Sequence, residues 1–229
     1  MINKRTALVI GATGLVGQEV VKELCSRDEY GEVRIISRKP IEMEHEKLTV
    51  SIIDFNYLEG SHIGVADDVF CCLGTTMKKA KSKAAFRQVD LDFPLQLASL
   101  AKKNNARQFL VISAMGADLS STFYYNRIKG LMEEQLIELD LPHLQIFRPS
   151  LLLGDRKEFR LGETVGAKVM SAMSWALVGP LKSLKAVRAE QVALAMVEGA
   201  LAPSVEKVKI HLSSDIEKVE KPALLIEKK

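Results

Sequence analysis

A glycine-rich turn near the start of the chain constrains its fold more than any other feature. The apolar run Thr6–Ile10 leads directly into Gly11-Ala12-Thr13-Gly14-Leu15-Val16-Gly17, and an amphipathic segment follows. This order predicts a strand, a tight turn and a helix whose first N–H groups and dipole favour a pyrophosphate. A Cβ at the glycines would obstruct the turn, the phosphate or the packing of helix on strand. The turn therefore predicts a dinucleotide site that includes Gly11, Thr13, Gly14, Leu15, Val16 and Gly17.

Short β-branched runs alternate with amphipathic runs along most of the chain. Strands are predicted at 7–10, 33–37, 48–53, 69–73, 109–112, 143–147 and 205–212, and helices at 15–27, 91–104, 123–139 and 189–202. Near-continuous apolar strands separated by helices predict an α/β fold, a Rossmann-type doubly wound parallel sheet with helices on both faces. We expect one domain, 1–229, in which 150–185 and the C-terminal helices form a small substrate lobe.

Composition excludes several classes of function. The net charge is only +3 and the charges are interspersed, which argues against a nucleic-acid partner. No apolar run reaches the length needed to cross a membrane, and no signal peptide is expected. Cys25, Cys71 and Cys72 lack metal-ligand spacing and the four histidines are scattered, so no metal is predicted. Reduced thiols favour a cytoplasmic protein, and the oligomeric state is left open.

The segment Ser37-Arg38-Lys39 follows the second predicted strand, where an acidic residue would favour NAD and a basic one the 2′-phosphate of NADP. The planar Arg38 guanidinium suits a phosphate, so NADP(H) is favoured over NAD(H). A solvated basic turn is the alternative. Asp54 and Phe55 follow the third strand near the expected adenine position; Asp54 could accept from the exocyclic amine or cap the next turn.

Further candidates come from the carboxyl ends of later strands, where open parallel sheets bind ligands. The fourth strand leads into Leu73, Gly74, Thr75 and Thr76, and Gly74 would let the backbone approach a ribose or adenine. The sixth strand leads into Arg148, Pro149 and Ser150, a rigid edge suited to a flat ring. Cys71 and Cys72 are interpreted as small core residues rather than redox groups.

Tyr125 and Lys129 are the candidates for acid–base chemistry. Four residues apart in a helical pattern, they share a helix face, and an ammonium lowers the pKa of a tyrosine from its usual value of about 10. The pair is thus a candidate general acid or base, and a plain surface helix is the alternative. Ser113 ends the fifth strand and could hold a substrate carbonyl, or it could be an ordinary turn residue.

Four segments together, 11–17, 113–118, 125–130 and 147–152, resemble the atypical short-chain dehydrogenase/reductases, and 153–163 is most similar to the Tat-interacting-protein branch. The resemblance implies a Rossmann fold, bound NADP(H) and a Ser113–Tyr125–Lys129 triad. One departure is Asp90, in Val89-Asp90, where extended members usually carry the asparagine of a proton relay. A second departure is the short C-terminal lobe, which disfavours a sugar-nucleotide substrate.

The favoured hypothesis is an NADPH-dependent oxidoreductase acting on a small carbonyl or alcohol. A rival hypothesis is a cofactor-loaded regulator that binds a protein partner with little catalysis, since members of the branch are associated with protein interaction. A structural or flavin-binding Rossmann protein is the third. Within the predicted lobe, the Met-rich helix 167–177 contains Met170, Met173 and Trp175, which are interpreted as core residues rather than ligand contacts. The tail 215–229 is expected to be partly frayed.

Overall fold

The computed structural model describes residues 4–153, 186–202 and 205–221. Seven strands form one sheet: β1 Arg5–Ile10, β2 Tyr30–Ser37, β3 Leu48–Ile52, β4 Asp68–Cys71, β5 Gln108–Ile112, β6 Leu144–Arg148 and β9 Val208–Leu212. Their order is β3-β2-β1-β4-β5-β6-β9, and every neighbouring pair is parallel. The chain reverses its winding between β1 and β4, which places a crevice at the carboxyl ends of these strands. The predicted doubly wound Rossmann sheet is confirmed.

Two further strands, β7 Leu152–Leu153 and β8 Val187–Arg188, pair separately in parallel. The helices are α1 Leu15–Cys25, α2 Gly60–Ile63, α3 Met77–Ala80, α4 Lys83–Arg87, α5 Phe93–Lys103, α6 Tyr124–Glu138, α7 Ala189–Leu201 and α8 Ser213–Ile216. A 3₁₀ turn spans Phe55–Tyr57 and a π-helical turn spans Gln88–Asp92. The predicted longer helices agree within about two residues. The short helices α2 to α4 were not predicted, because one turn carries too little periodicity to be recognised.

Side-chain alternation along the strands divides the core into two layers. Leu8 and Ile10 of β1 lie in a cluster with buried residues of α5 and α6, whereas Ala7 and Val9 lie in a cluster with those of α1 and α7. The sheet is therefore covered on both faces, which is why its strands are near-continuously apolar. The loops at the carboxyl ends of the strands remain open to build a site.

A buried polar network joins the amino ends of several strands. Asp68 accepts from the Tyr30 hydroxyl at 2.6 Å, from Gln108 Nε2 at 2.7 Å and from Arg107 at 3.2 Å. Gln108 and Arg5 also donate to the carbonyl of Ala200 at 2.8 Å each, near the end of α7. The network supplies donors to the Ala200 carbonyl and two cations, Arg5 and Arg107, for the fully buried Asp68 carboxylate. It lies away from the ligand edge and holds α7 on the sheet.

Part of the predicted substrate lobe lies outside the described residues. Residues 154–185, including the Met-rich helix 167–177, and the end of the tail, 222–229, lie outside the described residues. The first two residues of the predicted tail 215–229 form the end of α8, Ser213–Ile216. Among the described helices, none combines the length and apolar character required to span a bilayer.

Candidate active site

The glycine turn between β1 and α1 requires glycine at two positions for different reasons. Gly11 has φ +91°, and a Cβ there would lie 2.5 Å from the backbone carbonyl carbon of Cys72. A Cβ on Gly17 would lie 2.2 Å from the carbonyl oxygen of Gly11. The turn is closed by Gly14 N–H donating to the same carbonyl at 2.9 Å. Because the N-cap residue of α1, Gly14, has no side chain to cap the helix, the first N–H groups of α1 remain for a bound anion.

A cleft of about 1400 Å³ opens at this edge of the sheet. Tyr125 lines it together with eleven of the predicted cofactor residues, namely Gly11, Thr13, Gly14, Ser37, Arg38, Lys39, Phe55, Leu73, Gly74, Thr75 and Thr76. The remaining predicted residues lie outside its lining: Leu15, Val16, Gly17, Asp54, Ser113, Lys129, Arg148, Pro149 and Ser150. The tertiary structure thus brings the segments that follow four strands into a common cleft with residues of α3, α4, the π-helical turn and α6.

The end of the cleft near β2 carries the predicted phosphate-binding residues. Arg38 is exposed, and its guanidinium carbon lies 5.4 Å from the centroid of the Phe55 ring. Ser37 is buried, and its hydroxyl accepts from Lys39 N–H at 3.2 Å. Stacking on Phe55 holds the planar Arg38 side chain at the cleft while leaving its edges free to bind a phosphate.

Asp54 caps the turn that follows it and is not among the residues that line the cleft. Its Oδ1 accepts from the backbone N–H of Asn56 at 3.0 Å and from the Asn56 amide at 2.9 Å, at the start of the 3₁₀ turn. This is the second of the two roles that the sequence allowed. Capping fixes the turn that places Phe55 beneath Arg38.

The acid–base pair lies at the start of α6, where Tyr125 lines the cleft and Lys129 follows one turn later, 3% exposed. Lys129 Nζ lies 2.9 Å from Asp90 Oδ1 and donates to the carbonyl of Ile112 at 3.3 Å. Burial acts to lower the pKa of Lys129, but the negative charge of Asp90 outweighs it, with a smaller contribution from Tyr125, so the pKa is raised. Lys129 is therefore a permanent ammonium behind Tyr125.

The structure shows what the carboxylate of Asp90 does at the position where extended short-chain members usually carry an asparagine. Asp90 is fully buried in the π-helical turn, and its second oxygen accepts from Thr75 N–H at 2.9 Å. The carboxylate thereby pairs with the positive charge of Lys129, which stays protonated, and fixes the loop that follows β4. The sequence showed the residue but gave no reason for its charge, since its partner is 39 positions away.

Ser113 belongs to a second buried group. Its hydroxyl donates to Glu133, which lies one turn beyond Lys129 on α6. Arg148 donates to both oxygens of Glu133, with Nε at 3.0 and 3.1 Å, and this contact raises the pKa of Arg148. In this arrangement the single O–H of Ser113 is engaged as a donor to Glu133, so the hydroxyl can only accept a hydrogen bond from another partner. Glu133 was not singled out from the sequence, although its i+4 spacing from Lys129 was a usable signal.

Pro149 and Ser150 connect neighbouring loops. The carbonyl of Pro149 accepts from Met115 N–H at 2.9 Å, and Ser150 N–H donates to Ser213 Oγ at 3.2 Å.

Cys71 is a core residue, and burial raises the pKa of its thiol to about 11. Cys72 lines the cleft, and burial likewise raises its pKa. Both thiols stay protonated and are weak nucleophiles near neutral pH.

Comparison with known proteins places these features in a family. Residues 11–176 match the family model described as NAD(P)H-binding. Over 233 residues the chain is 32% identical to rat Protein HTATIP2, covering 93% of this chain and 91% of the relative. It is 31% identical over 198 residues to the mitochondrial Protein FMP52 of Candida albicans, covering 82% and 86%.

Solved structures share the fold at low identity. The Bordetella bronchiseptica enzyme WbmH in complex with NAD+ superposes with a TM-score of 0.70 at 17% identity, covering 93% of this chain and 76% of that one. The UDP-glucuronic acid 4-epimerase of Bacillus cereus in complex with NAD gives 0.68 at 13% identity, covering 90% and 76%. At this identity the likenesses concern the fold alone.

Proposed function

The chain belongs to the NAD(P)H-binding family, within the Tat-interacting-protein-like branch of short-chain dehydrogenase/reductase folds, and we propose that it is an NADP(H)-dependent oxidoreductase for a small carbonyl or alcohol. One observation carries the proposal. Tyr125 lines the same cleft as the glycine turn, with the Lys129–Asp90 ion pair buried behind it. A plain Rossmann binding protein needs the cleft but has no use for a buried ammonium beside a tyrosine.

The residues present fit a dinucleotide. The cradle at Gly11 and Gly14 has no side chain, and the first amides of α1 would hold the pyrophosphate. Arg38, held on Phe55, would bind the 2′-phosphate through its fork of N–H groups, with Lys39 beside it. We therefore propose a preference for NADP(H) over NAD(H). When bound, the nicotinamide supplies the hydride.

The side chains of the protein supply the proton and the geometry. Tyr125 donates its hydroxyl proton to the carbonyl oxygen during reduction and takes it back during oxidation. Lys129 stays charged and stabilises the phenolate that forms. Asp90 keeps that ammonium in place without competing for the substrate, because it is buried behind the cleft wall.

Two measurements test the proposal. Titration of the purified protein with NADPH and NADH should give tighter binding of NADPH, and Arg38→Ala should reduce that preference by about tenfold, the value of a charge-assisted contact. Tyr125→Phe should abolish turnover on a panel of carbonyl compounds while NADPH binding stays nearly intact. Preference of the wild type for NADH, or full activity of the phenylalanine variant, would refute the corresponding assignment.

A second candidate, a nucleotide-loaded regulator, is favoured by one specific contact. Ser113 donates to Glu133 and does not line the cleft, so it is not poised to donate to a substrate carbonyl. A pulldown with and without NADPH discriminates the two: a partner that binds only the loaded protein, together with no turnover, supports the regulator.

We further propose a cytoplasmic location on the basis of the three free thiols. Cell fractionation is the test, because fungal relatives are named as mitochondrial proteins.

A further inference from the structure

The cleft carries more positive charge than a dinucleotide explains. Five cationic side chains line it, namely Arg38, Lys39, Lys78, Lys79 and Lys81, and no aspartate or glutamate is found among its lining residues in the described part of the chain. The whole protein has a net charge of only +3, so the positive charge is concentrated here. Such a concentration attracts anionic ligands and raises their rate of binding.

The proposed cofactor uses only part of this charge. Its pyrophosphate is provided for by the amides that open α1, and its 2′-phosphate by Arg38 and Lys39. Lys78 and Lys81, which lie in and just after α3, have no role in that assignment. They are exposed, so their ammonium groups are available to a ligand in the cleft.

The segment that carries these lysines is fixed at both ends to the proposed reaction site. At its start, Thr75 N–H donates to Asp90, the partner of Lys129. At its end, the Tyr124 hydroxyl donates to the carbonyl of Lys83 at 3.0 Å. The following helix, α4, continues this attachment, because the Phe86 ring packs 5.7 Å from that of Tyr125. Lys78 and Lys81 therefore lie between two anchors that both adjoin the acid–base group.

We propose that Lys78 and Lys81 bind an anionic group, a carboxylate or a phosphate, on the substrate whose reacting oxygen lies at Tyr125. The inference rests on the proposed oxidoreductase function and specifies its substrate class. The lysines take no part in the electron balance. The carbonyl carbon gains the hydride that NADPH loses as it is oxidised to NADP+, and the carbonyl oxygen gains the Tyr125 proton, which solvent then restores to Tyr125. The anion remains unchanged throughout.

The test compares an anionic aldehyde with a neutral one of nearly the same shape. 4-Formylbenzoate and its methyl ester are titrated calorimetrically into the full-length protein, both nucleotide-free and saturated with NADP+, with which the aldehyde cannot be reduced. 4-Formylphenyl phosphate is the third probe and distinguishes phosphate from carboxylate recognition. The variants are Lys78→Ala/Lys81→Ala and, as a charge-matched control, Lys103→Ala/Lys209→Ala at exposed positions outside the cleft.

We expect the wild type loaded with NADP+ to bind one of the anionic probes about tenfold more tightly than the ester, as two partly exposed ion contacts allow. The Lys78→Ala/Lys81→Ala variant should lose this preference, and the control should keep it. Raising the ionic strength should reduce the preference in both the wild type and the control, because exposed charges are screened.

The outcomes separate this inference from the proposed function. Equal binding of all three probes by a protein that binds NADPH overturns the anion site and leaves the oxidoreductase standing. A loss of NADPH affinity in Lys78→Ala/Lys81→Ala, with the preference among probes unchanged, assigns the lysines to the nucleotide and also overturns it. Failure to bind NADPH, with a lysine-dependent preference for an anionic probe in the nucleotide-free protein, refutes the proposed function and retains the anion site.

Discussion

The buried Lys129–Asp90 ion pair gives a quantitative prediction for stability. The two charges lie 2.9 Å apart, with side chains 3% and 1% exposed. At an effective dielectric constant of about 20 their attraction is about 6 kcal/mol, and much of it offsets the cost of removing both charges from water. Removal of one partner leaves the other charge buried and uncompensated. We expect Lys129→Met and Asp90→Asn each to lower the free energy of unfolding by about 3 kcal/mol.

A double-mutant cycle measures this coupling. Lys129→Met/Asp90→Asn contains no buried charge at the site, so its loss should be clearly smaller than the sum of the two single losses, with an interaction energy of about 2 kcal/mol. Urea denaturation of the four proteins provides the free energies. The exposed pair Lys22–Glu19, at 2.7 Å, is the control, and Lys22→Met should change stability by less than about 0.5 kcal/mol. Additive single losses would show that burial of the pair does not couple the two residues, and the reasoning would fail.

Three further predictions concern other parts of the molecule. Gly17→Ala, which would gain about 1 kcal/mol in an ordinary helix, should instead destabilise the protein by about 2 kcal/mol in urea titrations and weaken NADPH binding, because its Cβ meets the Gly11 carbonyl oxygen at 2.2 Å; unchanged stability would contradict this. Tyr30→Phe should lower the free energy of unfolding by about 2 kcal/mol, since it removes a 2.6 Å hydrogen bond to the buried Asp68 carboxylate. A melting temperature equal to that of the wild type within error would argue against a stabilising role of this bond. Burial, assisted by Lys209, lowers the pKa of His211 to about 4, so the unfolded chain takes up a proton before the folded one and stability falls as pH decreases from about 6.5 to 4. Over that range the free energy of unfolding of His211→Gln should fall by about 1 to 3 kcal/mol less than that of the wild type. Parallel pH profiles of the two proteins would disprove the assignment of this pH dependence to His211.

The sheet and its longer helices were predictable because their signals are local. β1, the glycine turn and α1 are contiguous in sequence, and apolar periodicity of adequate length marks α5 and α6 within about two residues. The same locality explains the misses. α3 and α4 are single turns whose caps, Thr76 and Ser82, are recognisable only once the fold has placed the segment along the cleft.

In the candidate site, too, contacts within one helix were predictable from the sequence and contacts between distant segments were not. Tyr125 and Lys129 could be paired from the sequence because a helix brings residues four apart to one face. The buried charge pairs could not be found in this way. Asp90 reaches Lys129 from the π-helical turn after α4, and Arg148 reaches Glu133, the partner of Ser113, from the end of β6. The capping contact of Asp54 with Asn56, one of the two roles that the sequence left open for Asp54, became visible only with the 3₁₀ turn.

By itself the sequence determined the Rossmann sheet, the nucleotide cradle and the spacing of the acid–base pair, because each depends on neighbours within a few residues. Only the tertiary structure decided that the buried Asp90 carboxylate pairs with Lys129, that Ser113 donates to Glu133, and that five cations line one cleft. These are contacts between distant segments, and their energies depend on burial and on distances that exist only after the sheet has brought the strand ends together.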